Sequence, residues 1–390
     1  MGVIELPVFL AIVSAILGAT VGSFLNVVIY RLPRGLSVNE PRRSFCPSCK
    51  YKIPFHLNIP ILSWFLLAGK CKNCSGIVSF RYCFVEILTA FLFLLAWLTF
   101  AGSFDQIFYN NPQLVLVSWF LISLLVAASF IDIEHQIIPD GINRCGIIVG
   151  IISAFIFPNI VHEFMGMDKS PSQEFSSRIE AVGWSLAGIA CGFVILYSVV
   201  IFGKILFGKK SLSSGEPVTW NIIEGKENPI LIIGDNEIRF EDLFFVGTEK
   251  IVLDSTEIEI NSKQYGAGDL VVYYDRLVVG GENVIPINEW QTLKGISSKI
   301  TYKREAMGLG DVKFIAMFGA FIGWKGVLFA LFAASIIGTS INLPGKFLGK
   351  DTAFTRIPFG PYLAAGALFW LFCGSDLLQW YFNLLTIQIQ

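Results

Sequence analysis

Four of the eight cysteines occur in two pairs that have the spacing of a metal site. Cys46 and Cys49 form one CxxC pair, Cys71 and Cys74 form the other, and residues 50–70 lie between them. A two-residue gap lets one tight turn direct both sulfurs to a common point, and four thiolates at about 2.3 Å complete a tetrahedral zinc site. We predict a closed, structural Zn²⁺ site here. Two disulfides and four unpaired buried thiols remain alternatives at this point.

Two aspartates lie at the ends of apolar segments, far apart in the chain. Asp132 ends one apolar run and Asp311 begins another. A charge next to hydrocarbon costs several kcal/mol, so such residues usually serve a function. Two carboxylates that meet in a partly dehydrated site share a proton, and such a pair suits hydrolysis of a peptide by water. We predict that Asp132 and Asp311 are a catalytic pair. For each aspartate alone, a helix cap is an equal alternative.

The residues around these aspartates extend the hypothesis. Gly308 and Gly310 precede Asp311, and because glycine has no Cβ they are predicted to let an extended substrate approach. Asp140, which follows a proline, is interpreted as the N-cap of the next helix. Glu86 lies near the end of a predicted span, where an ion pair and a functional role both remain open.

The composition of the chain excludes a single soluble enzyme. Of its 390 residues 54% are hydrophobic and 15% are charged, and the mean hydropathy is +0.64. A net charge of −1 gives no basis for binding nucleic acid. The expected partner of the apolar surface is membrane lipid. Residues 207–305 hold 27 of the 59 charged side chains. The remaining chain is therefore predicted to be mostly membrane-embedded.

Seven apolar stretches are long enough to be considered as membrane spans. They lie near residues 6–30, 83–103, 113–132, 142–160, 181–206, 312–344 and 359–382. The sixth is too long for one helix, and the Gly323–Gly326 segment is expected to break it into two. The pattern predicts about eight transmembrane helices.

Basic residues set the expected orientation, because Lys and Arg accumulate on the cytoplasmic side of a membrane. The 31–82 segment holds nine basic residues and one acid, Glu40. That loop is predicted to be cytoplasmic, which places both termini outside. A cleaved signal peptide is the alternative at the N-terminus, but its positive charges would come before the apolar run, so a retained anchor is favoured.

The expected fold is an all-α polytopic membrane protein with a cytoplasmic Cys₄ zinc-binding loop and an inserted soluble β-rich domain. Short stretches rich in β-branched residues, such as 230–233, 250–253, 257–260 and 270–274, indicate the inserted domain. The predicted organisation is a first transmembrane helix (1–30), the zinc loop (31–82), helices two to five (83–206), the insert (207–305) and the last helices (306–390).

Several motifs of the chain together resemble the type IV prepilin peptidase family of bacterial inner membranes. They are the GSFLNVVIYRLP segment from Gly22 to Pro33, the two CxxC pairs, Asn58 to Trp64, Arg81-Tyr82 with Glu86, the 132–140 segment, the GxGD motif that ends at Asp311, and Pro358 to Pro361. The resemblance covers nearly all of the chain outside the insert.

The resemblance implies an aspartic endopeptidase whose catalytic pair is Asp132 and Asp311. Such enzymes remove the basic leader of type IV prepilins or type II secretion pseudopilins at the cytoplasmic face. Members that keep the cysteine loop usually also methylate the new N-terminal residue with S-adenosyl-L-methionine. Since no Gly-rich dinucleotide-binding motif is present, the cofactor-binding residues stay unassigned.

Two other classes of protein remain as alternatives. One is a non-enzymatic membrane scaffold of a secretion or pilus system, in which the zinc loop docks a partner and the aspartates are caps. The other is an ion-coupled transporter, in which acids relay protons. A transporter would carry its acids near the middle of the membrane, whereas Asp132 and Asp311 lie at span ends.

Overall fold

The structure is a computed structural model that describes residues 6–41, 44–46, 48–101, 113–164, 178–207, 210–212, 218–223, 230–233, 236–239, 250–261, 263–273, 276–280, 283–286, 292–302, 308–347 and 358–387. The chain divides into two compact units. The first contains Met1–Tyr197, Leu309–Pro344 and Pro358–Gln390, and the second contains Ser198–Gly308 and Gly345–Ile357.

The described part of the first unit is mostly helical. In chain order the α-helices are α1 (Leu6–Arg31), α2 (Leu62–Leu66), α3 (Phe80–Phe100), α4 (Gln113–His135), α5 (Asp140–Ile156), α6 (Pro158–Phe164), α7 (Arg178–Phe207), α8 (Leu309–Phe347) and α9 (Gly360–Ile387). Helix α7 continues into the second unit. Five of these helices, α1, α3, α4, α7 and α8, are long and apolar enough to cross a membrane, which confirms a mostly helical multi-pass membrane protein.

The predicted number of eight spans is not confirmed. Helix α5 has 17 residues, and at about 1.5 Å per residue it is somewhat shorter than a hydrocarbon core of about 30 Å. In α9 the apolar stretch is Gly360–Gly374. Within α8 the backbone at Gly323 is not helical (φ 66°, ψ −177°), so two helical segments meet at a kink within the segment where the break is expected. Residues 102–112, between the second and third predicted spans, lie outside the described part of the chain.

Helix α4 forms the centre of the first unit. It contacts α1, α3 and α9, and its side chains at Leu121, Ile122 and Leu125 are fully buried. The first half of α8 is also buried, as Phe314 and Phe318 show. The two predicted catalytic aspartates therefore lie at the ends of the two most deeply packed helical segments.

Glycines allow the helices of this unit to approach closely. A Cβ on Gly188 of α7 would lie 2.1 Å from the carbonyl oxygen of Gly319 in α8, and a Cβ on Gly22 of α1 would lie 2.8 Å from Cα of Glu86 in α3. Helices in lipid associate mainly through van der Waals packing and interhelical hydrogen bonds, so small residues at such crossings stabilise the bundle.

The second unit contains an antiparallel sheet of ten strands. They are β1 (Lys210–Leu212), β2 (Val218–Ile223), β3 (Ile230–Ile233), β4 (Asn236–Arg239), β5 (Ile251–Ile260), β6 (Lys263–Tyr265), β7 (Gly268–Val272), β8 (Arg276–Val279), β9 (Asn283–Pro286) and β10 (Thr292–Tyr302). The order is β4-β3-β2-β10-β5-β7-β8-β9, with β1 paired to β10 and β6 to β5. Its apolar core includes Trp220, Ile222, Leu253 and Leu293. The β-rich nature predicted for the insert is confirmed.

Strand β5 differs from the two separate stretches that its sequence indicates. It is one strand of ten residues, and it pairs with β10 with a register shift. Ser255 is opposite Ser297 while Glu257 is opposite Ile296, so Thr256 is an extra residue of a β-bulge. The buried side chains change from odd to even positions across it. The bulge thus interrupts the alternation without ending the strand.

We expect Gly188→Ala to destabilise the helical unit. The added methyl group would meet the Gly319 carbonyl at 2.1 Å, and overpacking of this kind typically costs about 1–3 kcal/mol. The measurement is the thermal unfolding midpoint of the purified protein in detergent, which we expect to fall. Gly183→Ala, on the same helix with open space around it, is the control and should not lower the midpoint. Equal midpoints for the two variants would contradict this account of the crossing.

Candidate active site and metal centre

The four paired cysteines form one compact cluster. The Cys46 and Cys74 sulfurs are 3.9 Å apart, those of Cys49 and Cys71 are 4.0 Å apart, and all four lie within 4.8 Å of one another. A tetrahedron with metal–sulfur bonds of about 2.3 Å has edges of about 3.8 Å. All four thiols are free, so they are not paired in disulfides. The cluster fits a tetrahedral ion such as zinc.

The two cysteine pairs are held by the same local backbone structure. In each pair the residue after the second cysteine has a positive φ, 58° at Lys50 and 54° at Ser75. The backbone hydrogen bonds repeat as well: Cys46 N–H donates to Tyr51 O (3.0 Å) and Lys50 N–H to Cys46 O (2.9 Å), as Cys71 N–H donates to Gly76 O (2.9 Å) and Ser75 N–H to Cys71 O (2.9 Å). Two copies of one turn therefore present the four sulfurs.

The thiols influence one another electrostatically. The backbone N–H of Tyr51 lowers the pKa of Cys49 to about 6. At Cys74 the Gly76 backbone N–H acts in the same direction, but hydrogen bonds from Cys74 to the neighbouring thiols, Cys49 first, raise its pKa to about 11 overall. Four adjacent thiolates repel one another, and a divalent cation relieves this repulsion because metals bind the deprotonated form.

Asp132 is buried in the last turn of α4. Its side chain is 5% exposed, and its Oδ2 accepts a hydrogen bond from the Gly360 backbone N–H at 3.0 Å. Gly360 is the first residue of α9, so the carboxylate lies at the positive end of a helix dipole. Gln136, with φ 52°, donates its N–H to the Asp132 carbonyl and ends α4. The structure therefore places Asp132 at the point where two helices meet.

Asp311 lies in the first turn of α8, and its neighbour Gly310 packs on the same residue as Gly360 does. A Cβ on Gly310 would lie 3.4 Å from Cβ of Ile138, and a Cβ on Gly360 would lie 3.1 Å from Cδ1 of Ile138 and 2.7 Å from Oδ2 of Asp132. Ile138 is buried. The structure thus brings the segments that carry Asp132 and Asp311 together around this one side chain, and Gly308 immediately precedes the helix of Asp311.

Asp140 binds the first turn of α8 and does not have the expected capping position. Helix α5 is preceded by Pro139 as its N-cap, and Asp140 is its first residue. The Asp140 carboxylate pairs with Lys313 at 2.7 Å and with Arg144 at 3.7 Å. Because Lys313 is two residues after Asp311, this ion pair joins the beginnings of α5 and α8.

Polar contacts also join the cysteine-loop region to the helix of Asp132. Arg81, at the start of α3, forms a salt bridge with Glu134 of α4. Arg34, just after α1, lies with its Nη1 3.4 Å from Nε2 of His135. The C-terminal end of α1 and the beginning of α3 therefore lie beside the last turn of α4.

Glu86 makes a contact that the sequence does not reveal. Its Oε2 accepts the Ile61 backbone N–H at 2.6 Å. Ile61 has φ 64° and ψ −57°, and the N–H of Leu62 reaches the carbonyl of Pro60 at 2.6 Å, which together define a strained γ-turn. A β-branched residue in this conformation is held by its surroundings, and such strain is concentrated at functional sites.

A cavity of about 380 Å³ lies between the end of α1, the cysteine loop and the beginning of α3. Its walls include Asn26, Trp64, Tyr82 and Glu86, together with Cys46 and Cys71 of the cluster. The sequence gives the motifs that contribute these residues, but their positions in the chain do not show that they enclose a common space. The sequence likewise shows Gly360 only as part of the Pro358 to Pro361 motif and does not show that it contacts Asp132.

Comparison with known proteins identifies the chain's relatives. Residues 16–100 match the bacterial peptidase A24 N-terminal domain, and residues 119–215 and 264–343 match the type IV leader peptidase family. The second match is interrupted within the β-rich unit. No solved structure matches significantly.

Three relatives illustrate the extent of the similarity. The prepilin leader peptidase/N-methyltransferase of Myxococcus xanthus is 36% identical over 54% of this chain and 53% of its own length, so the match spans about half of that relative. The type 4 prepilin-like proteins leader peptide-processing enzyme of Escherichia coli is 30% identical over 54% of this chain and 75% of the relative. The prepilin leader peptidase/N-methyltransferase of Legionella pneumophila is 25% identical over 97% and 96%. The chain therefore belongs to the type IV leader peptidase family and is a peptidase.

Proposed function

We propose that this peptidase is a membrane aspartic endopeptidase that removes the basic leader of type IV prepilins or type II secretion pseudopilins. The catalytic residues are Asp132 and Asp311. The observation that carries the proposal is the meeting of their two segments around Ile138, with the carboxylate of Asp132 buried at the start of α9. An aspartate that only capped a helix would need neither to be buried nor to lie near a second aspartate.

The two carboxylates share the proton transfers of hydrolysis. One takes a proton from water as the water oxygen attacks the scissile carbonyl carbon, and the other holds a proton that supports the developing oxyanion. When the C–N bond breaks, this second proton goes to the leaving amine. The Gly360 N–H and the start of α9 hold Asp132 in place during both steps.

The position of the aspartates at helix ends defines how a substrate is presented. The enzyme lies in the inner membrane of a bacterium. An apolar prepilin helix lies in this bilayer beside the bundle, and its basic leader remains in the cytoplasm. Both termini of the enzyme are then outside. The scissile peptide must unwind, because a helical carbonyl is hydrogen-bonded to the chain. Gly308 and Gly310, without side chains, leave room for this extended segment.

A second activity is proposed for the cysteine-loop region. Relatives from Legionella pneumophila and Aeromonas hydrophila, which match this chain over 96% and 90% of their own length, are named prepilin leader peptidase/N-methyltransferase. Zinc bound by Cys46, Cys49, Cys71 and Cys74 holds this region in shape. S-adenosyl-L-methionine, when bound, supplies the methyl group. The new N-terminal amine would accept this group and release a proton to water, and S-adenosylhomocysteine would remain.

We expect Asp132→Asn and Asp311→Asn each to abolish leader cleavage. Loss of a proton-transfer group typically lowers a rate by about 10²–10⁴-fold. The assay is cleavage of a purified prepilin by the enzyme in detergent, with monodispersity as the folding check. Asp376→Asn, an exposed aspartate in α9, is the control. Unchanged cleavage in either of the first two variants would remove that residue from the mechanism.

Gly360→Ala should also abolish cleavage while both aspartates remain. The new methyl group would be 2.7 Å from Oδ2 of Asp132, so either the carboxylate or the start of α9 must move. We expect a much larger loss in kcat than in substrate affinity. Gly141→Ala, near the beginning of α5 with open space around it, should retain activity. If Gly360→Ala cleaves at the normal rate, the geometry described for Asp132 is not required.

Replacing Cys46 or Cys71 with serine should release zinc and reduce methylation more than cleavage, because each substitution removes one of four ligands. Metal content is measured by mass spectrometry of the purified variants, and methylation by the mass of the processed prepilin. Cys145→Ser, which changes an exposed cysteine outside the cluster, is the control. Wild-type enzyme purified without zinc or another bound metal would argue against the Cys₄ assignment.

A further inference from the structure

The cavity beside the cysteine cluster contains a carboxylate whose charge is not balanced by a cation. Glu86 is half-buried, and its hydrogen-bond donors are the Ile61 backbone N–H and the Ser23 hydroxyl, which are neutral. Among the described residues no lysine, arginine or histidine forms a salt bridge with it. Carboxylates removed from water are normally paired. The cavity is therefore suited to a ligand that carries positive charge.

Asn26 provides a second unsatisfied group in the same wall. It is 6% exposed, and its Nδ2 donates to the Tyr82 carbonyl at 2.9 Å. Its buried Oδ1 has no hydrogen-bond partner within the part of the chain that the structure describes. A buried acceptor left without a donor costs about 1–3 kcal/mol. A ligand with an N–H or O–H group at this position would remove that cost.

The remaining lining matches a flat, partly polar molecule of moderate size. The indole of Trp64 and the ring of Tyr82 offer aromatic surface, and Lys70 at the edge offers a cation for a carboxylate. The volume of about 380 Å³ falls within the range of about 300–1,000 Å³ that small-molecule sites occupy. Aromatic, anionic and cationic groups thus surround one cavity.

We propose that this cavity binds S-adenosyl-L-methionine, with Glu86 opposite its positively charged sulfonium group and Asn26 as a hydrogen-bond acceptor. The assignment rests on the methyl transfer proposed above, and it names residues for a cofactor that the sequence motifs do not locate. Trp64 and Tyr82 take the adenine ring, and Lys70 takes the carboxylate.

The location of the cavity suits methylation after cleavage. Tyr82 lines it, and the adjacent Arg81 forms a salt bridge with Glu134, two residues from Asp132. The new N-terminal amine of the processed pilin, once cleaved at the aspartates, therefore has a short path to the methyl donor. A cofactor site farther along the helices would require the processed pilin to move through the membrane before the second reaction.

The test measures binding directly, without a prepilin. Purified full-length enzyme in detergent is titrated calorimetrically with S-adenosyl-L-methionine and with S-adenosylhomocysteine, which has no charge on sulfur. We expect the wild type to prefer the charged ligand. Glu86→Gln should weaken binding of S-adenosyl-L-methionine by about 10–100-fold and change binding of S-adenosylhomocysteine much less, because only the contact with the sulfonium charge is lost. Glu180→Gln, an exposed glutamate in α7, is the matched control.

Hydrogen exchange of the wild type gives a second measurement that needs no variant. We expect the ligand to protect peptides that contain residues 23–31, 57–72 and 78–86, and to leave residues 178–197 unchanged. The proposal fails if the wild type binds neither ligand at millimolar concentration, if protection appears elsewhere, or if Glu86→Gln weakens both ligands equally, as a purely structural role would. Loss of the aspartate mechanism would not alter these results, so the two proposals fail separately.

Discussion

A buried carboxylate needs hydrogen-bond donors, and in this protein Asp132 obtains one from the backbone at the beginning of α9. The donor is Gly360, where any Cβ would approach the carboxylate too closely. Ile138 packs against Gly360 and also against Gly310, beside the second aspartate. One hydrogen bond and one apolar side chain thus connect the end of α4 with the beginnings of α8 and α9. The proposed chemistry depends on this junction, because that proposal requires both aspartates.

The cysteine loop is organised by a repeated turn. Lys50 and Ser75 adopt the same left-handed conformation, and equivalent backbone hydrogen bonds surround both pairs. The resulting cluster forms one wall of the cavity that Glu86 and Asn26 complete. Because Arg81 also pairs with α4, the loop and the aspartates belong to one neighbourhood within the helical unit. This arrangement gives a structural reason for the two activities named together in the relatives.

Sequence patterns predicted the five long apolar helices because their apolar runs have at least the length that a bilayer requires. They were less successful where a local rule competes with packing. Asp140 has the sequence features of a cap, yet it is the first helical residue and pairs with Lys313 across the bundle. Strand β5 was divided in two because the bulge at Thr256 reverses the alternation of buried residues. The number of eight spans is not confirmed, since five helices in the described part of the chain are long and apolar enough to cross a membrane.

The sequence alone determined the membrane-embedded character, the β-rich insert and the cysteine quartet, and it made Asp132 and Asp311 the catalytic candidates, because these follow from composition and from the positions of residues along the chain. Only the tertiary structure decided that Gly360 binds Asp132, that Ile61 is strained against Glu86, and that the cysteine loop and α1 enclose a cavity. Those features join residues that are distant in the chain. Their contacts arise from helix packing, which leaves no periodic signal in any single segment.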